Sequence, residues 1–103
     1  MREQDAELLI RKCHDAAVEA CLHGKYKANR FPPSAALYDQ NALVRGGAAL
    51  IFANAYRENL PLPPFAVKLL EGRLKTETDK TARFFIEYAI DVLTGKAQPG
   101  GEG

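Results

Sequence analysis

The chain has 103 residues, 47 % of them hydrophobic and 26 % charged, a composition of one globular domain rather than of a disordered or fibrous chain. With 14 basic against 13 acidic residues the net charge is +1, so no overall field draws the chain to nucleic acid or anionic lipid, and any such binding needs a local patch. The charged start MREQDAELLI lacks the apolar stretch of a signal peptide and no uncharged run is long enough to cross a bilayer, so a cytoplasmic location is expected.

Residues 5–22 read as the first helix. Leu9, Ile10, Cys13, Ala17, Ala20 and Cys21 recur at three- and four-residue steps, and acidic residues crowd the N-terminal end, where the helix dipole favours them. Gly24, after His23, suits a left-handed stop. The connection KYKANRFPPS follows. Its Pro32 and Pro33 remove donors and point to an extended path, with Ser34 opening a short turn towards Tyr38.

Residues 41–56, NALVRGGAALIFANAY, organise the rest. Their period is helical and their apolar residues cover most of the circumference, so this helix must be covered from several directions. Asp39 is the expected N-cap, with Gln40 as the first helical residue and an end near Asn59. Gly46 and Gly47 together cost such a helix on the order of 1–2 kcal/mol against alanine. Close approach of another helix offsets that cost; a kink is the competing account.

The stiff turn Leu60-Pro-Leu-Pro-Pro64 separates this helix from a third over residues 65–75, with Pro64 at its first position. Lys68, Glu71, Arg73 and Lys75 are expected to face outward. Thr76 or Thr78 caps a fourth helix, whose buried face is Ala82, Phe85, Ile86, Ala89, Ile90 and Leu93, and Gly95 stops it. The expected fold is all-α: a compact four-helix bundle, orthogonal or up-down, over residues 1–95. A tail of residues 96–103 has nothing to bury and is expected to be disordered.

Catalytic and metal chemistry find little support. Cys13 and Cys21 lie roughly 12 Å apart along one helix, too far for a disulfide. With His14 and His23 they lack the close pairing of structural zinc sites. Glu87 and Asp91, one turn apart, read as a solvated face. There is no phosphate-binding glycine loop. No metal, cofactor or catalytic residue is therefore expected, and no motif is specific enough to indicate a family.

Two binding readings remain. The favoured one is a non-catalytic protein-interaction module, a small regulator or inhibitor that occludes a macromolecular partner. Its anchors are the aromatic and arginine residues Tyr26, Arg30, Phe31, Tyr56 and Arg57, residue types that dominate interface energetics. The alternative is a nucleic-acid-binding regulator using Lys25, Lys27 and Arg30 in the basic-aromatic loop 25–31. A helix-turn-helix using Lys68, Arg73 and Lys75 is disfavoured by the proline-packed turn. The small-residue stripe Ala42, Gly46, Ala49 and Ala53 has two competing uses: a two-fold homodimer, or burial as the central helix of the monomer.

Overall fold

In the computed structural model, residues 3–96 are described, and they form five helices and no strand. These are α1 (Glu3–Leu22), α2 (Pro32–Ala36), α3 (Ala42–Arg57), α4 (Ala66–Thr76) and α5 (Lys80–Thr94). The all-α expectation holds, with one short helix beyond the four read from the sequence. The expected tail, apart from Lys96, lies outside the described residues.

Helix α3 is the centre. Both α1 and α5 pack extensively on it, α2 packs on α1 and α3, and α4 rests against α5. Its buried residues run through Val44, the block 46–50, Phe52, Ala53 and Ala55. Glycine and alanine are what such a position requires. A Cβ on Gly47 would fall on the carbonyl oxygen of Cys13 and 2.7 Å from the Ala17 Cβ, so only glycine lets α1 lie this close. A Cβ on Gly46 would approach the Phe85 ring to 3.1 Å. The helix passes through the pair as one continuous element, Ala42–Arg57, and close packing is what offsets the two glycines. Gly46, Ala49 and Ala53 are buried and Ala42 is half-buried. Gly46 lies against α1 and α5 of its own chain, so of the two uses set out for the stripe the burial fits the central helix of the monomer rather than the dimer seam. Behind it the largest fully buried side chains are Phe52, Leu37, Leu70, Ile86 and Cys13.

The joints differ from their expected form in five places. Pro32 and Pro33 open α2 rather than continue an extended path, because the first turn of a helix does not need the N–H that proline lacks. Asn41, not Asp39, caps α3, its side chain accepting from the Leu43 N–H at 2.9 Å. Asp39 instead accepts from the Asn41 N–H and the Tyr26 hydroxyl, both at 2.8 Å. Asp79, not Thr76 or Thr78, caps α5 by accepting from the Ala82 N–H at 2.9 Å. Helix α4 starts at Ala66, so Pro64 stays in the preceding turn. Gly24 is not left-handed. The left-handed stops are Asn59 (φ 58°), after α3, and Gly95 (φ 83°), after α5, residue types that tolerate that region.

Candidate functional site

A buried charge cluster fastens the joints together. Glu77 sits in the α4–α5 joint with its side chain only 1 % exposed, and Arg45 of α3 reaches it. The guanidinium grips the carboxylate with two bonds of 2.7 and 2.8 Å and donates also to the Asp39 and Gln40 carbonyls. Glu77 accepts the Asp79 N–H at 3.0 Å. Burial alone would push the Glu77 carboxyl up; the Arg45 bonds and that N–H outweigh it and hold it below the usual carboxylate range. Asp39 behaves alike: burial is overcome by hydrogen bonds from Asn41, Tyr26 and Lys25, so its carboxyl is also held low. Every charge here is answered inside the chain, so the cluster clasps the joints to α3.

The expected anchors divide accordingly. Tyr26 is half-buried, with its hydroxyl committed to Asp39. Phe31 is half-buried edge-on to Phe52, ring centres 5.1 Å apart. Lys25, itself exposed, pairs with Asp39 at 3.2 Å and lies over the Tyr26 ring; Lys27 and Arg30 are exposed as well. Arg73, expected to point outward, is half-buried. It stacks on Tyr38 with 4.5 Å between guanidinium carbon and ring centre, and donates to the Leu37 carbonyl. Tyr56 and Arg57 are exposed at the end of α3.

Two concave surfaces bear on the expected anchors. The larger lies where α1 and α5, which make little direct contact with each other, straddle α3. Its volume is about 840 Å³; Leu50 and Asn54 of α3 contribute to its lining beside Ile10 and His14 of α1 and Phe84 and Tyr88 of α5. Arg57 stacks over the Tyr88 ring at 5.2 Å and also lines it. An apolar recess of about 410 Å³ adjoins it, sharing Ile10, Phe84 and Phe85. Among the described residues Phe84 is the most exposed large hydrophobic one, at 64 %, and it stands edge-on to Phe85. Much of the apolar surface of α3 and α5 is absorbed, since Val44, Leu50, Phe52 and Phe85 are buried, while Tyr56 and Phe84 stay outside. Phe84 lies off the buried face of α5, as the helical spacing of Ala82, Phe85, Ile86 and Ala89 implies.

The second surface is a cleft of about 560 Å³ between the 29–35 segment and the turn 61–65. It brings Arg30 and Phe31 beside the prolines, a juxtaposition that nothing in the sequence pattern foretold. Arg30/Phe31 and Arg57 thus belong to different surfaces.

Cys13 and Cys21 are free and buried. Burial pushes both thiols up, helped at Cys13 by the nearby Asp79 carboxylate, which disfavours the reactive thiolate. Among the described residues no group of three histidine, cysteine or acidic side chains is placed to hold a metal ion, and no helix is long and apolar enough to cross a membrane. Compared with family models, curated proteins and solved structures, the chain matches none. The fold defines it as an all-α helical protein, and its function is argued from its own surfaces.

Proposed function

We propose that the chain is a non-catalytic protein-interaction module, a small regulator or inhibitor that takes a helix of its partner into the α1–α3–α5 groove. The observation that carries the reading is Phe84. A phenyl ring 64 % exposed in a groove lined also by Ile10, Leu50 and Tyr88 carries an unfavourable hydration that a docked apolar side chain would relieve, by about 25 cal/mol per Å² covered. Apolar patches with a polar rim are typical partner sites. Here Glu7, Arg11, Asp15 and Arg57 supply that rim, with charges of both signs to fix the orientation of an amphipathic helix.

Affinity capture from the source cell with the wild-type chain and with Phe84→Asp tests this. Because Phe84 is exposed, the variant should fold normally and lose the groove's partner. An unchanged set of captured proteins refutes the groove. The nucleic-acid reading makes a separate demand. Three phosphate contacts by Lys25, Lys27 and Arg30 would weaken binding roughly 20–40-fold between 50 and 200 mM salt. Tight binding with that salt dependence, abolished by neutralising the three, would replace the protein-binding reading. The Lys25–Asp39 pair weighs against it.

A further inference from the structure

The α1–α3–α5 groove carries its charge unevenly. Glu7, Arg11 and Asp15 line it from the α1 side, two acidic residues against one basic. Arg57, at the end of α3 and stacked on Tyr88 of α5, lines it from the other side. Lys80, at the start of α5, lines the adjoining recess. All five are exposed. Arg83 and Glu87, also on α5, lie 4.0 Å apart and together add no net charge. The groove therefore has an acidic rim along α1 and a basic rim on the α5 side, with Leu50 of α3 between them.

The apolar parts lie side by side in the same patch. The recess of about 410 Å³ is lined by Leu9 and Ile10 of α1 and by Phe84 and Phe85 of α5. At its edge Phe84 is 64 % exposed and Ile10 42 %. One patch thus holds both a projecting ring and an apolar hollow. A contact between two copies around a two-fold axis uses the same patch twice, so it requires a projection and a matching hollow on one surface. A half-turn about an axis through the groove floor also carries the α1 rim of each copy onto the α5 rim of the other. Acidic rim then meets basic rim twice, which favours the pairing and fixes its orientation. With a net charge of only +1, the overall field of the chain does little to oppose it.

We propose that the groove is self-complementary and that, in the absence of another partner, its occupant is a second copy of this chain, docked around a two-fold axis with each Phe84 against the other copy's recess. The inference rests on the groove being a binding surface and adds its regulation. The dimer covers the groove, so a partner helix binds only by displacing the second copy.

The test is sedimentation equilibrium of the purified full-length chain with no partner added. A reversible, concentration-dependent shift from 11.3 kDa to twice that mass is expected. Phe84→Asp should raise the dissociation constant tenfold or more. Two further variants each reverse one rim: Glu7→Lys/Asp15→Lys makes both rims basic, and Arg57→Glu/Lys80→Glu makes both acidic. Each alone should sediment as a monomer with an unchanged circular dichroism spectrum. Mixed in equal amounts they should form a dimer with one copy of each, because every basic rim then meets an acidic one. A loosened fold cannot produce that recovery. A wild-type chain that stays monomeric up to about 1 mM overturns the proposal. So does a Phe84→Asp or single-rim variant that dimerises as the wild type does, or a mixture of the two folded rim variants that stays monomeric. Each of these outcomes leaves partner capture by the groove standing. Conversely, an unchanged captured set with the dimer intact refutes helix docking alone.

Discussion

Gly46 and Gly47 are adjacent, lie on the same helix, and should respond very differently to the same substitution. Alanine at either position gains about 1 kcal/mol of helix propensity over glycine. At Gly46 the new methyl would meet Phe85 Cδ2 at 3.1 Å, Ala82 Cα at 3.6 Å and Cys13 Sγ at 3.7 Å. Only the ring is tight, and a phenyl ring can give by a few tenths of an ångström. At Gly47 the methyl would land on the Cys13 carbonyl oxygen and lie 2.6 Å from its carbon, so the obstacle is the backbone of α1 itself. That helix must retreat by about an ångström, whereas overpacking costs about 1–3 kcal/mol even where side chains can rearrange. Taking the top of that range less the propensity gain leaves Gly47→Ala destabilised by about 2 kcal/mol, roughly 8–16 °C in Tm for a domain of this size. Gly46→Ala should stay within about 1 kcal/mol of wild type. Far-UV circular dichroism melts, with urea titrations for the free energies, measure both. A Gly47→Ala variant as stable as wild type would refute the close α1–α3 contact on which the fold is built.

Three further outcomes follow from the same geometry. Gly72 lies inside α4, and an alanine methyl there would have no neighbour within 4 Å, so Gly72→Ala should gain about 1 kcal/mol in a urea titration. Asp39 and Glu77 are both held below the usual carboxylate range; their stabilisation is complete above their unfolded values, near pH 4, and is lost as pH falls through the lower folded values. Tm should thus be flat with respect to these groups from pH 7 to about 5 and fall below about 4, and Glu77→Gln should start lower and decline less steeply on acidification. Cys13 and Cys21 should react with a thiol reagent such as dithionitrobenzoate only as fast as the chain unfolds; prompt labelling in the native state would contradict their burial.

The parts of this fold that were legible beforehand are those set by local pattern. The apolar circumference of α3, the 3–4 spacing of Cys13, Ala17 and Cys21, and Gly95 as a stop are properties of short windows, and they persist in the structure. What was not legible depends on partners far along the chain. Asp39 has the chemistry of an N-cap, yet Tyr26 and Lys25 draw its carboxylate into the clasp, and Asn41 takes the cap. Arg73 has the spacing of a solvated residue, yet Tyr38 and the Leu37 carbonyl hold it. Arg45 and Glu77 lie 32 positions apart, and no periodicity announces that they will meet.

That clasp also explains why a chain so rich in small residues has grooves at all. Glycine and alanine on α3 allow α1 and α5 to lie against it at short range, but both approach the same helix and make little contact with each other. The space between them is set by the width of α3 and is bridged only in part by Phe84, Phe85 and Ile10. Arg45 and Glu77 tie α3 to the joint that leads into α5, so the start of α5 cannot swing over to close the gap. Removing Glu77 would leave Arg45 without its carboxylate, at a cost of about 3–5 kcal/mol. It would also free the first turn of α5 to collapse towards α1. Groove width and clasp are in that sense one feature, and the exposure of Phe84 is its outward sign.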